Sequence, residues 1–345
     1  GYMHSQLHKH YSGPNSLFGT ANERATDEQG NVHVWTYDER GSFNAVCGFL
    51  REQGVRWYMP GEIGEIVPRR NSIALPRGDN GRYDKTVRPD FPMRICNFRA
   101  AVYGRDVMMW GFRLGVRQPY GRQAAHGLHG MTDNVWTLEN HPNWFALYGG
   151  KRHNDPIVKN NQLCYSNEEL FREAVEFARV QLDHFDMDVV SIMPPDGYTA
   201  MCQCEKCAGK ESPELGPRGR LSNYVWDFVN RVAKEVRKTH PDKRISNCAY
   251  GIYTEPPSNI DKLEPNVQVI IVGGRRPLAE DRADLRRLRA AWQQKTDRPL
   301  EIFENYPFTG RGFYLPAFFP RLLGDSINET KGQSRGEDIW ITMDF

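Results

Sequence analysis

The sequence predicts a mixed α/β chain whose larger part is a (β/α)8 barrel, preceded by the end of a small α/β unit. Three observations predict it. From Met93 onward the pattern is strand, loop, helix, repeated, with eight candidate strands over a length usual for such a barrel, about 250 residues. The last four clear strands, RISNCAYGIY, VQVIIVGG, LEIFENY and EDIWITM, are short and mostly apolar, as in a parallel sheet buried on both faces. The first strand is not followed by the Gly-rich phosphate loop of an open doubly wound sheet, the alternative architecture.

Taken in order, residues 1–86 read as the C-terminal part of the small α/β unit plus a linker, and 87–345 as the barrel, its last helix missing. VHVWTYDE alternates like a strand. GSFNAVCGFLREQ sets Phe43, Val46, Cys47, Phe49 and Leu50 at helical spacing, and VRWYMPG returns as a short strand. PRGDNGRYDKTVRPDFP is rich in Gly, Pro and charge, as linkers are. The barrel strands are MRICNFRAAV, a weak one near FRLGVRQ, QLCYS, DVVSIMPP and the four above. The helices are EELFREAVEFARVQLDHF, SNYVWDFVNRVAKEVRKTH, AEDRADLRRLRAAWQQK and a weaker PAFFPRLLGDSIN. Arg282, Arg286, Arg287 and Arg289 of the third helix read as its solvated face.

Composition narrows the function. A net charge of +2 over 345 residues argues against a general nucleic-acid or anionic-membrane partner. No run approaches the roughly 18 apolar residues of a membrane span. Aromatics make up 12% of a polar chain of mean hydropathy −0.66, which suits stacking on sugars as well as an aromatic core. The chain begins at Gly1 and stops at Phe345 inside an apolar run, the pattern expected of a chain truncated at both ends.

A barrel gathers its chemistry at the C-terminal ends of its strands. There the fourth strand carries Asp196, Gly197 and Tyr198. The fifth carries Tyr250, Tyr253 and Glu255, the sixth Arg275, and the seventh Glu304 and Tyr306. Glycoside hydrolysis needs two carboxylates, one to protonate the departing oxygen and one to stabilise or attack the oxocarbenium-like carbon. Asp196 and Glu304 are the candidate pair. Trp110, Tyr198, Tyr250, Tyr253, Tyr306 and Trp340 are candidate stacking faces, and Arg113, Arg275, His126 and His129 candidate donors to hydroxyls. Glu255, before Pro256 and Pro257, reads as a weaker site residue that shapes its loop. HGLHG lacks the glutamate of HExxH.

The stretch SIMPPDGYTAMCQCEKC follows Asp196 with Cys202, Cys204 and Cys207. Three clustered thiols can hold zinc, but a structural site needs four ligands and the fourth is not local. A disulfide or free thiols bracing the loop after Asp196 is the expectation, with no metal and no cofactor. Of the seven cysteines, Cys47, Cys96, Cys164 and Cys248 lie singly in apolar contexts and read as small core residues. Two other functions fit the same residues: a non-catalytic carbohydrate-binding barrel, and a metal-dependent hydrolase using His126, His129 and Asp196.

GFLREQGVRWYMPGEIGEIVP, HPNWFALYGGKR, QLCYSN and MPPDGYTAMCQCEKC resemble the bacterial family filed as domain of unknown function 4838, part of which is grouped as glycoside hydrolase family 163. The resemblance runs from about residue 35 to the end. It implies a small α/β domain followed by a (β/α)8 catalytic barrel, and an endo-β-N-acetylglucosaminidase that cleaves N-glycans with retention. It also implies an extracytoplasmic location and an aspartate and a glutamate as the working pair, matched here to Asp196 in PPDG and Glu304 in FENYPF. The partner implied is an oligosaccharide or glycan.

Overall fold

The computed structural model describes residues 41–73, 75, 82, 84–97, 109–116, 125–158, 160–184, 187–273, 279–305 and 319–340, and of 97, 184, 279, 281, 305 and 340 the backbone alone. The strand expected at VHVWTYDE lies outside them, as does part of the linker.

Helix α1, Gly41–Glu52, forms where the apolar spacing predicts it. It buries Cys47, with Phe43 and Leu50 beside it, against Val55 and Trp57, and leaves Val46 exposed. Strand β1, Arg56–Trp57, turns back on β2, Glu65–Ile66, antiparallel. Strand β3, Met93–Asn97, follows the linker. Residues 109–113, inside the segment near FRLGVRQ, are helical and not extended. Phe112 is buried there, and a short apolar run does not by itself distinguish a buried helical turn from a strand.

Next come two short helices, α2, His129–Thr132, and α3, Val135–Asn140. Asn134 caps α3 by accepting from the Thr137 N–H at 2.8 Å. Strands β4, Leu147–Tyr148, and β5, Lys151–Arg152, form a hairpin. QLCYS is not a sheet strand: it contributes a single bridge between Leu163 and Phe145. Helix α4, Glu168–His184, is capped by Asn167, whose Oδ1 accepts from Glu169 N and Leu170 N.

Strand β6, Val189–Ser191, helix α5, Ser222–Arg237, and strands β7, Arg244–Ala249, and β8, Val267–Gly273, then build the parallel core. Helix α6, Ala279–Gln293, and strand β9, Leu300–Asn305, continue it. Helix α7, Pro320–Asn328, leads to β10, Ser334–Trp340, parallel to β3. The six strands run in the order β3-β10-β9-β8-β7-β6. The described residues thus give an α/β fold on a six-stranded sheet, not the eight strands expected.

By their internal contacts the described residues between 120 and 303 form one compact unit; those of 34–119 and 304–345 form another. In the first, α5 buries Tyr224, Val225, Phe228, Val229, Val232 and Val236. On its outer side Arg231 holds both oxygens of Glu168 at 2.8 Å and lies over the Phe171 ring. Trp226 and Trp292 are fully buried and meet at 4.5 Å. Their indole N–H groups donate to consecutive carbonyls, Tyr253 and Thr254. Two helices thereby fix the loop after β7, because a buried carbonyl left without a donor costs about 1–3 kcal/mol. Arg289 of α6 is buried and does not belong to a solvated face. In the second unit Gly336, at φ +133°, brings β10 so close to β3 that a Cβ would lie 1.8 Å from the Met93 oxygen.

Candidate active site

The site is assembled where β6 ends. Its chain runs on through Ile192 and Met193 to Pro194, Pro195 and Asp196, with Ile192 N donating to Ser246 O of β7 at 3.1 Å. The HGLHG segment lies along this exit. Leu128 N donates to Met193 O, Ser191 Oγ to Ala125 O, and His126 Nδ1 to Pro194 O at 2.6 Å. Gly127 permits the approach: a Cβ there would sit 1.6 Å from the Ser191 carbonyl oxygen.

These bonds bring His126 to Asp196, with Nε2 3.5 Å from Oδ1. Because the Pro194 carbonyl can only accept, His126 Nδ1 donates to it, which turns Nε2 toward the carboxylate. Asp196 Oδ1 also accepts from Gly197 N at 2.9 Å. Its side chain is 52% exposed, and no described residue hydrogen-bonds its second oxygen. Tyr250 packs edge-on to His126 at 6.1 Å. Burial, and then the Asp196 carboxylate, push the Tyr250 phenol above its ordinary value, so it remains a donor at neutral pH. His126, Asp196 and Tyr250 therefore form one exposed polar group at the ends of β6 and β7.

The other expected site residues go elsewhere. Tyr198 and Tyr253 are 4% and 1% exposed; Tyr198 packs against both Tyr165 and Tyr253, forming an aromatic floor. They support the loop and do not offer a face to a ligand. His129 pairs with Asp133 one helical turn on, at 2.8 Å, and does not join His126 and Asp196 in a metal-binding group. Glu255 is gripped by both terminal nitrogens of Arg287, at 3.0 and 2.7 Å, a bidentate pair that fixes a loop. Trp110 donates to Trp57 O at 3.0 Å and Arg113 pairs with Glu65 at 2.9 Å. Both belong to the small cluster around Trp57, because an aromatic or an arginine taken alone carries no signal of direction. Glu304 is fully buried at the C-terminal end of β9. Arg275 and Tyr306, and the side chain of Trp340, lie outside the described residues.

Two supports draw on residues that the sequence does not point to, Gln162 and Cys164. Gln162 Nε2 donates to the Asp196 carbonyl at 2.6 Å and to Asn160 O at 2.9 Å, while its own N–H donates to His153 Nδ1 at 2.7 Å. Burial holds the His153 imidazole below its ordinary value of 6.5, against the pull of Asp155. Just below 6.5 the unfolded chain binds a proton that the native one does not. Stability therefore rises with pH across that window and is lost on acidification. His153→Asn keeps an acceptor at the δ position without titrating. Its unfolding free energy is expected to fall less steeply than the wild type's just below pH 6.5 in denaturant titrations; parallel slopes would contradict this.

The second support is a cluster of four cysteines. Cys164, from the QLCYS segment, reaches the CQCEKC loop, with its Sγ 3.7 Å from that of Cys204 and 3.6 Å from that of Cys207. Cys204 and Cys207 lie 3.5 Å apart. Cys202 completes the group, with all four sulfurs within 4.8 Å of one another. None of the seven cysteines forms a disulfide, so the loop is not braced by one.

The fold is thus an α/β protein with a parallel sheet and an exposed polar group where β6 and β7 end, at the strand termini where such sheets carry their sites. The family model described as Domain of unknown function (DUF4838) matches residues 59–323, and the chain belongs to that family. No curated protein matches it. No helix among the described residues is long and apolar enough to cross a membrane.

Proposed function

We propose that the chain is a retaining glycoside hydrolase on a (β/α)8 barrel, of the endo-β-N-acetylglucosaminidase type of glycoside hydrolase family 163, acting on glycans outside the cytoplasm. The observation that carries the reading is the exposed Asp196 carboxylate beside His126 and Tyr250 at the C-terminal end of β6. Glu304, matched by the family resemblance, is the second carboxylate of this reading.

On an N-acetylhexosaminide the 2-acetamido oxygen attacks the anomeric carbon, a recognised departure from the two-carboxylate scheme. Asp196 orients the acetamido group and balances its developing positive charge. Glu304 protonates the departing glycosidic oxygen, then takes the proton of the water that opens the intermediate. Tyr250, protonated at neutral pH, donates to a sugar hydroxyl or to the acetamido group. On a sugar without the acetamido group, one of the two carboxylates acts as the nucleophile instead.

The test is a panel of N-glycans and β-linked oligosaccharides incubated with the full-length protein, with products read by mass spectrometry. The expected result is cleavage of a β-N-acetylglucosaminide bond. A folded protein that binds members of the panel and cleaves none supports a carbohydrate-binding role and removes the enzyme.

A further inference from the structure

The four-cysteine cluster belongs to no part of the reaction above. We propose that Cys164, Cys202, Cys204 and Cys207 bind one zinc ion as a structural tetrathiolate site.

Geometry is the first argument. A zinc–sulfur bond is about 2.3 Å, so neighbouring sulfurs on a regular tetrahedron lie about 3.8 Å apart. Three of the pairs measure 3.5, 3.6 and 3.7 Å. These lie within about 0.3 Å of that edge, and with all four sulfurs within 4.8 Å of one another no sulfur–sulfur distance has to change by more than about 1 Å to form a coordination shell. The set is also the full complement of a closed site, four ligands with no place left for water, and three of the four cysteines are buried.

The polar atoms aimed at the sulfurs are the second, independent argument. Leu147 N donates to Cys202 Sγ at 3.3 Å. The Tyr224 hydroxyl lies 3.1 Å from Cys207 Sγ. Lys210, three residues after Cys207, donates from Nζ to Ser166 Oγ at 2.9 Å. Thiols packed as small apolar groups have no use for such donors. Thiolates do, because four of them outnumber the charge of one divalent ion and their excess needs partners around the shell. Gly209, at φ +72°, lets the chain turn back after Cys207, so that Lys210 N bonds Cys207 O.

Binding releases the thiol protons to solvent and joins two segments distant in the chain, so its free energy becomes folding free energy. The segments joined are the one carrying Gln162, which holds the Asp196 carbonyl, and the loop that leads on from Asp196. The ion is a brace beneath the loop and takes no part in bond cleavage.

The experiment is elemental analysis of the purified full-length protein, followed by cobalt substitution. The expected result is about one zinc per chain, a cobalt form with sulfur-to-metal charge-transfer absorption, and a zinc ratio near zero in Cys164→Ser. Three outcomes would overturn the proposal: no zinc with four freely titratable thiols, a disulfide among the four by mass, or iron in place of zinc. Full zinc retention in Cys164→Ser would overturn the assignment of the fourth ligand. Should that variant not fold, the metal content and the cobalt spectrum of the wild type still decide.

Discussion

Asp196→Asn is expected to lower turnover on a cleaved glycan by about 10²–10⁴-fold, the range that a positioned acid–base or charge-stabilising group contributes. The substitution is nearly isosteric. The amide oxygen still accepts from Gly197 N, as Oδ1 does at 2.9 Å, and the side chain is 52% exposed, so stability should change by no more than about 0.5 kcal/mol. What is lost is the negative charge facing the substrate. A fall in kcat with an unchanged denaturation midpoint is therefore the signature, and near-wild-type turnover would remove Asp196 from the mechanism. Glu304→Gln should lower turnover over the same range, but Glu304 is fully buried, so its stability must be measured alongside.

Gly127→Ala is expected to cost more stability than any exposed substitution near the site. The added Cβ would fall 1.6 Å from the oxygen and 2.5 Å from the carbon of the Ser191 carbonyl. Both are backbone atoms at the end of β6, so a rotamer change cannot relieve the clash. Overpacking costs about 1–3 kcal/mol and more where backbone must move, and displacing this segment also carries His126 away from Pro194 and Asp196. Gly130→Ala is the internal control. It lies three residues on, in α2, and a Cβ there meets nothing within 4 Å, so it should be neutral or mildly stabilising. Equal denaturant midpoints for the two variants would contradict the close approach.

The parallel core was legible because its strands are short, apolar runs. β7 and β8 bury nearly every residue, which leaves hydrophobicity unmixed with solvent-facing positions. Helix α5 was legible from its spacing, since Tyr224, Val225, Phe228, Val229, Val232 and Val236 share one face. FRLGVRQ and QLCYS misled for a physical reason: Phe112 in the first and Leu163 in the second are buried, but burial within a short run carries no period. Phe112 is packed inside a helical turn, and Leu163 makes one bridge and no ladder.

The same distinction governs the site. Asp196 could be read because PPDG is a local signal at the end of an apolar strand. Its support could not, because Gln162 and Cys164 reach it only through the tertiary fold. Cys164 lies 40 residues before Cys204, and the metal reading failed at the sequence level for want of that one ligand. Trp110, Arg113 and Glu255 were plausible sugar contacts by type alone. The structure gives each a partner within the fold, Trp57 O, Glu65 and Arg287.

The most direct measurement is the distance between the carboxyl groups of Asp196 and Glu304 in a crystal structure of the full-length protein with a bound glycan. Two carboxylates that act on one sugar should both face the bound glycan and stand no more than about 10 Å apart, whichever group is the nucleophile. A separation beyond about 10 Å, outside even the inverting range, or a glycan bound away from both, would contradict the account.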